Sequence, residues 1–540
     1  MITLQIDGRE VQVEDGQTVL QAAEKLGIEI PTLCHLEGLP SYTSCMVCVC
    51  ADAKSGRLFP SCGFPAAEGM QVDASSDTVK SARRDALELL LSEHVGDCEA
   101  PCQQVCPASL DIARMARDVQ NDNQIAAIAG IKENLALPAV LGYVCPAPCE
   151  KGCRRGGDDH LSIRLMHRSV AEADLAADKP WMPDCAKHTD KRVAIVGAGP
   201  AGLSAAYYLR QYGHACVILD AGKAPGGQLR TAEMEERPLP LRVLDDEVAR
   251  IQCLGVDIRQ GEKLGETVTL TQLQQDYDAV ILALGKMPID DITALGLDTA
   301  RRGVQVDSFT LQTSQPGVFA AGGFIHGLKL AVRAVGDGRI AAAACDQYLR
   351  GAEIRGARPR FNSKIGKMQA GELKAFLGQA STGAPISSTG GCDGECYTED
   401  ESAREGERCL ACDCRKADSC KLRQYAEEYD AKQNRFAGED RKRVVILRDH
   451  GNVVFEPGKC IKCGICTRIC EQHREELGLA FVGRGFDVNL TVPFGNTIAD
   501  GMRTCANEVV DACPTAALAF AEHERLSVPG TASKDASPAA

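Results

Sequence analysis

The chain has 540 residues, a formal net charge of −14, 44% hydrophobic residues and a single tryptophan. That length holds several domains with several cores, and the acidic balance argues against nucleic acid as a partner. No apolar run approaches the roughly 18 residues of a membrane-spanning helix. The opening MITLQIDGREVQVEDG alternates like a strand and has neither the basic end nor the apolar middle of a signal peptide. A cytoplasmic protein with no membrane span is expected.

The 27 cysteines set the problem. A large reduced-compartment protein does not carry a disulfide framework, so clustered cysteines read as metal or Fe–S ligands. Cys216, Cys253 and Cys345 stand alone in apolar segments and read as packing; the tight groups do not.

In chain order, residues 1–78 read as short strands, a helix and a cysteine-rich loop. The set Cys34, Cys45, Cys48 and Cys62 offers three thiolates on one loop and a distant fourth, enough for a two-iron cluster. Cys50 lies just outside the pattern and reads as packing. The opening pattern resembles the β-grasp ferredoxin domain of the complex I 75-kDa subunit and of iron-only hydrogenases, which implies one [2Fe–2S] cluster.

Residues 79–190 read as a helical domain with two Fe–S clusters. The run LSEHVGDCEAPCQQVCPASL supplies His94, Cys98, Cys102 and Cys106, and GYVCPAPCEKGC supplies Cys145, Cys149 and Cys153. This part resembles the N-terminal domain of the glutamate synthase small subunit and of dihydropyrimidine dehydrogenase. The resemblance groups Cys98, Cys102 and Cys145 in one [4Fe–4S] cluster and Cys106, Cys149 and Cys153 in another. Each set is one ligand short. His94 stands where the family's first cysteine pair is broken, and His-x3-Cys resembles the histidine-ligated cluster of the complex I 75-kDa subunit. His167 stands where dihydropyrimidine dehydrogenase has a glutamine ligand. Imidazole in place of thiolate removes negative charge and raises the potential, as in Rieske centres. The bland reading of each histidine is a structural one.

Residues 191–352 read as a Rossmann-like FAD domain. The strand RVAIV feeds Gly197, Gly199 and Gly202, and a helix opening with Pro200 and Ala201 follows at once. The first glycine permits the turn, the second lets backbone approach a pyrophosphate, and the third lets helix and strand pack closely. The second strand ends at Asp220, placed to accept from a ribose hydroxyl. The continuation GKAPGGQL resembles the FAD form of this fold and implies Gly226, Gly227 and Gln228 on the flavin side. QPGVFAAGGFIHG and the helix after it resemble the closing flavin motif, implying Gly322, Gly323, Leu330 and Ala331 as contacts. Gly323 replaces the aspartate that usually holds the ribityl chain. The family's nicotinamide domain would lie between an ALG turn and that motif, but here the chain runs from Gly285 to Gly317 with no second Gly-rich loop. An FAD domain without an NAD(P)H domain is expected.

Residues 353–440 read as a linker carrying Cys409, Cys412, Cys414 and Cys420, which suit a cubane or zinc; Cys392 and Cys396 offer substitute ligands. Residues 441–525 resemble a bacterial-type ferredoxin domain. Cys460, Cys463 and Cys466 with Cys513 imply one [4Fe–4S] cluster, while Arg503, Ala506 and Val509 stand where the second cluster's cysteines would be. Cys470 then loses its usual partner set, and Cys505 is off register. Residues 526–540 read as a disordered tail.

The expected fold is multidomain α/β and α+β: a β-grasp ferredoxin, a helical double-cluster domain, a Rossmann-like FAD domain and a C-terminal ferredoxin-like domain. The expected cofactors are FAD, one [2Fe–2S] and about four [4Fe–4S] clusters. No acid–base or nucleophile constellation for a small substrate stands out. The leading expectation is an electron-transfer subunit of a larger oxidoreductase. Its expected partners are complex I flavoprotein-like NADH-oxidising subunits, with a metal-dependent catalytic subunit of formate dehydrogenase, hydrogenase or aldehyde oxidoreductase type, or soluble ferredoxin. Whether the flavin bifurcates electrons depends on its potentials. The alternative is a self-sufficient NAD(P)H-dependent reductase of the glutamate synthase small-subunit type; a zinc scaffold is a third reading.

Overall fold

The structure is a computed structural model that describes every residue except 232–238, 328–329, 357–359, 379, 390–395, 439–440 and 523–540. The terminal tail and Cys392 therefore lie outside the described residues. The chain forms two compact units: one of residues 1–99, 360–378 and the chain from 412 onward, the other of residues 100–359 and 379–411. In sequence, the second unit is inserted into the first. Cys98 and Cys102 fall in different units, as do Cys409 and Cys412.

The first unit opens with a five-stranded mixed sheet in the order Arg9–Val13, Ile2–Ile6, Gln71–Asp73, Val49–Asp52, Leu58–Pro60. Ile2–Ile6 pairs antiparallel with Arg9–Val13 and parallel with Gln71–Asp73. Leu4, Ile6, Val11 and Val13 point to one buried face, as the period of two requires. Helix Val19–Lys25 covers that face. It starts at a capping box in which Thr18 and Gln21 satisfy each other's backbone N–H. Helix Asp77–Ser92 buries Val79, Leu87 and Leu91 at helical spacing. Its polar residues tie the unit's ends together. Arg83 Nε donates to the Val49 carbonyl and its Nη1 to the Tyr429 hydroxyl. Glu88 accepts from the Lys432 N–H and from Arg435. The C-terminal part pairs Val453–Phe455 antiparallel with Leu518–Phe520 and packs helix Ile465–Gln472 on helix Ala506–Ala512.

The second unit joins a helical layer to a parallel sheet. Helices Ile112–Gln120, Gln124–Lys132, Pro138–Val144 and Ile163–Ala176 share one core with the sheet's helices. The sheet runs Val318–Ala320, Ala279–Leu282, Arg192–Val196, Ala215–Asp220, Asp257–Gln260, with every neighbouring pair parallel. After its exposed first residue, Arg192, the central strand RVAIV is apolar and buried, as expected of a strand covered on both faces. Helices Pro200–Gln211 and Ala331–Leu349 pack against each other, and Gly338 sets their closeness: a Cβ there would stand 2.3 Å from the Ala201 carbonyl oxygen. The connection from 283 to 317, all of it described, holds helix Ile289–Ala294 and the short pair Thr299–Ala300 and Gly303–Val304. Among the described residues no helix is long and apolar enough to cross a membrane.

Two predictions follow from this packing. Gly338→Ala overpacks the helix pair and should destabilise the second unit by about 1–3 kcal/mol, read as a lower midpoint in thermal unfolding. Glu247 is buried and accepts from the Ala139 and Val140 N–H groups at 2.8 and 2.9 Å. Burial pushes its carboxyl up from 4.5 to about 8, against those hydrogen bonds. A raised folded-state value means its contribution to stability is full below pH 4.5 and is lost as pH rises toward about 8. Glu247→Gln should therefore flatten the fall in melting temperature across that window.

Candidate redox centres

Cys34, Cys45, Cys48 and Cys62 converge at the edge of the N-terminal sheet. Their side chains hydrogen-bond one another: Cys34 with Cys45 and Cys62, and Cys48 with Cys62. These contacts hold Cys34 down to about 2 and push Cys45 and Cys62 well above the ordinary thiol range. Four crowded sulfurs cannot all ionise beside each other unless a cationic core sits between them, so the set fits a two-iron cluster. The loop achieves this with positive φ at Thr43 and Met46. Cys50 is buried outside the set and accepts from Arg83 at 3.7 Å.

In the C-terminal part, Cys460, Cys463, Cys466 and Cys513 line one apolar hollow with Phe481 and Leu490. Burial raises the Cys460 thiol to about 11 and Cys463 to about 12; the charge of Cys513 adds to both. The Lys462 N–H points at the Cys460 sulfur at 3.4 Å. Cys470 and Cys505 lie outside this hollow, with their buried sulfurs 3.5 Å apart. Arg468 links this set to the N-terminal one: its Nη2 donates to the carbonyls of Cys34 (3.4 Å) and Cys463 (3.2 Å). Its guanidinium lies 4.0 Å from the Tyr42 ring centre.

The first unit also brings Cys98 beside Cys414 and Cys420, a grouping the sequence-based sets do not contain. The Cys414 N–H donates to the Cys98 carbonyl at 3.1 Å. Burial, then the charges of Cys414 and Cys98, push Cys420 up to about 12. Lys459 is buried with its Nζ 3.9 Å from the Cys414 sulfur and 2.9 Å from Glu456 Oε1. His94 has a buried Nδ1 with no hydrogen-bond partner. Burial, followed by the Lys459 cation, lowers it to about 4.

In the second unit, Cys106, Cys145 and Cys149 form one neighbourhood. Burial raises Cys145 to about 11, and the Cys106 charge adds to this; burial and the same neighbour also raise Cys149. Cys106 and Cys145 each end a helix, Pro101–Val105 and Pro138–Val144. Ala147 takes a left-handed conformation that turns its N–H onto the Cys145 sulfur at 3.4 Å. Cys102, Cys153 and Cys409 pack against the core that includes Cys106, Cys145 and Cys149. His167 is buried on helix Ile163–Ala176 with Nε2 unpartnered. Burial lowers it to about 4, opposed by the carbonyls of Ile163 and Pro138. Cys396 is buried near Glu172. Among the described residues no three His, Cys, Asp or Glu side chains could hold a single metal ion; a cluster asks for ligands spread around a larger core.

The dinucleotide cradle is built as the glycine pattern requires. Gly197 has φ +108°, and a Cβ there would stand 2.4 Å from the Ala283 carbonyl oxygen. A Cβ on Gly202 would stand 1.9 Å from the Gly197 oxygen, whereas one on Gly199 meets nothing within 4 Å. The loop is closed where strand and helix meet and open where a pyrophosphate would approach. Asp220 accepts from the Ala198 N–H at 2.6 Å and the Gly222 N–H at 2.7 Å, so it braces the loop. Gly226 donates to the Ala198 carbonyl at 2.8 Å, and Gly227 comes within 3.0 Å of the Gly199 Cα at its Cβ position. Gln228 opens the short helix Gln228–Thr231.

On the other side of the cradle, Gly322 packs on Ala201 and Gly323 on the Gly285–Lys286 peptide. Leu330 caps helix Ala331–Leu349. Where Gly323 leaves a carboxylate missing, that helix contributes one. Buried Asp337 accepts from the Gly322 N–H at 3.1 Å and meets His326 Nε2 at 3.3 Å. Gly336 on the same helix lets the Cys106–Pro107 turn close in, since a Cβ there would stand 2.7 Å from the Pro107 oxygen. The sequence reading missed Asp337, Ser363, Lys459 and Arg468; no local spacing marks them.

Four family descriptions match the chain. They are a 2Fe–2S iron–sulfur cluster binding domain over residues 1–77 and the 4Fe–4S domain II of dihydropyrimidine dehydrogenase over 87–179. An NAD(P)-binding Rossmann-like domain matches 195–246, and pyridine nucleotide-disulphide oxidoreductase matches 234–338. Among curated relatives, the NADP(+)-dependent formate dehydrogenase subunit beta of Moorella thermoacetica is 39% identical over 34% of this chain and 29% of its own length. The NAD-dependent dihydropyrimidine dehydrogenase subunit PreT of Escherichia coli K12 is 38% identical over 35% and 46%. The glutamate synthase [NADPH] small chain of Bacillus subtilis is 32% identical over 33% and 36%. The chain spans less than half the length of the curated relatives it matches. It combines iron–sulfur cluster binding domains with a Rossmann-like redox domain of the kind shared by the glutamate synthase small chain and by formate dehydrogenase beta and PreT-type subunits.

Proposed function

We propose that the chain is an FAD and multi-cluster electron-transfer subunit of a larger cytoplasmic oxidoreductase, and that its flavin exchanges electrons with clusters or partner subunits. The observation that carries this reading is the connection from 283 to 317. It returns from strand Ala279–Leu282 to the adjacent strand Val318–Ala320 through one short helix and a two-residue strand pair. It contains no second strand, Gly-rich turn and helix on which a nicotinamide nucleotide could lie.

A flavin takes electrons in pairs and releases them singly, and iron–sulfur clusters carry one each. The protein's part is to hold such groups and set their surroundings. Gly197, Gly199 and Gly202 hold backbone N–H groups and a helix N-terminus toward a pyrophosphate. Asp337 fixes the Gly322 turn, and Gly336 brings the Cys106 turn onto the same helix. Arg468 joins the backbones of two thiol sets. The thiol groups and the cradle fit FAD, one [2Fe–2S] and about four [4Fe–4S] clusters, or about 18 irons per chain. Relatives named as subunits of formate dehydrogenase and dihydropyrimidine dehydrogenase support a role inside an assembly. The partners proposed are a metal-dependent catalytic subunit and NADH-oxidising subunits of complex I flavoprotein type, or soluble ferredoxin. A second reading, a self-sufficient NAD(P)H-dependent reductase, draws on the match to an NAD(P)-binding Rossmann-like description over 195–246.

Two measurements test this. Anaerobically purified chain should carry one FAD and about 18 irons by metal and flavin analysis; zinc in place of iron would defeat the reading. NADH or NADPH added to the isolated chain should leave the flavin absorbance unchanged, while a low-potential chemical reductant bleaches it. Rapid bleaching by either nucleotide would establish the second reading instead.

A further inference from the structure

We infer that His94, Cys98, Cys414 and Cys420 are the four ligands of one [4Fe–4S] cluster, assembled from two segments that flank the inserted second unit in sequence. The inference rests on the iron–sulfur reading of the chain and goes beyond it, because no spacing rule joins Cys98 to cysteines more than three hundred residues away.

The two segments run side by side. The Cys414 N–H donates to the Cys98 carbonyl at 3.1 Å, and Cys98, Cys414 and Cys420 are all buried. The 94–98 loop is clamped in place. The Val95 N–H donates to the Gly458 carbonyl at 2.8 Å, and a Cβ on Gly96 would stand 2.5 Å from Lys459 Cε. That clamp seats Lys459 against the 94–98 loop while its ammonium lies 3.9 Å from the Cys414 sulfur. The His94 Nδ1 is buried and unpartnered, which is costly for a polar atom unless it has a ligand to meet. Ser363, on the middle segment of the same unit, donates its N–H to the Cys98 sulfur at 3.4 Å, while its hydroxyl donates to the Gly96 carbonyl at 2.8 Å and lies 3.3 Å from that sulfur.

The donor set is three thiolates and one imidazole, with hydrogen-bond donors on two of the sulfurs. Fewer thiolates and more donors both favour the reduced cluster. This centre should therefore be the easier to reduce of the two cubane sites in the first unit. Its neighbour is built on Cys460, the residue after Lys459, so one peptide bond connects the surroundings of the two.

The test is an iron count combined with paramagnetic resonance on the full anaerobic chain. Cys98→Ala and Cys420→Ala should each remove about four irons and the same resonance signal, and the double variant should remove no more than either alone. Losses that add to about eight irons would place the two cysteines in separate clusters and overturn the inference, while leaving the electron-transfer reading intact. A wild-type chain without iron would sink both. Should the alanine variants fail to accumulate, His94→Cys keeps four ligands and carries the test. It should retain the iron, abolish a nitrogen hyperfine coupling that survives in His167→Gln, and lower the potential of that one signal. An unchanged nitrogen coupling in His94→Cys would exclude His94 and overturn the assignment.

Discussion

Crowded sulfur is the constraint on which the first unit depends. Its main core contains Cys34, Cys45, Cys420, Cys463, Cys470 and Cys505, with Cys460, Cys466 and Cys513 packed against it. A thiolate buried among other thiolates is expensive twice, through desolvation and through like charge. Bound iron removes both costs, and its binding free energy then becomes folding free energy. The small sheets of this unit support that economy: Val453–Phe455 pairs with Leu518–Phe520 and bridges to Leu447 at one residue, and Ala480–Val482 forms a two-stranded sheet with Asn489–Thr491. Isolated two-stranded pairs are marginal in water. Clusters and the helices around them must do much of the work of a core.

The charged residues around the sulfurs follow from the same constraint. Arg468 is buried, yet its partners are carbonyls and an aromatic ring rather than a carboxylate. An uncompensated buried cation is costly, and it is best tolerated where net negative clusters lie on both sides. Lys459 is comparable. Burial alone would depress its ammonium, but the Cys414 thiolate and Glu456 outweigh that and raise it. Arg415 closes the network through Glu456 at 3.0 Å. Buried cations beside thiol groups are a way to offset cluster charge without changing a ligand.

Local patterns in the sequence carried the parts of the molecule that are local. Alternation in ITLQI and REVQV, the Thr18 capping box and the Gly197–Gly202 turn each depend on residues within a few positions of one another. Those elements stand where the residues imply. Cys460, Cys463 and Cys466 line one hollow with Cys513, because the intervening chain turns at one strand pair and returns through helices Ile498–Gly501 and Ala506–Ala512. What the sequence hid was long-range. The resemblance grouped Cys98 with Cys102 and Cys145, and spacing grouped Cys414 with Cys409, Cys412 and Cys420. The fold instead divides the chain between Glu99 and Ala100, and again between Ala411 and Cys412. Each of these cysteine runs thus crosses a boundary between the two units.

Gly323 leaves the closing turn of the flavin-type motif without a carboxylate of its own, and a neighbouring helix offers one. The Gly322 N–H lies in a buried turn, where lacking an acceptor would cost about 1–3 kcal/mol. Asp337 meets it from the facing helix, directly after Gly336, which seats the Cys106 segment. A single helix, Ala331–Leu349, therefore carries the acceptor for the flavin-side turn and the close approach of a cluster ligand. Lengthening the Gly285–Gly317 connection to admit a nicotinamide domain would not disturb that helix. Moving the helix to admit one would disturb both. Gly336, Asp337 and Gly338 together hold the cradle close to the Cys106 turn, an arrangement that suits a flavin served by one-electron neighbours.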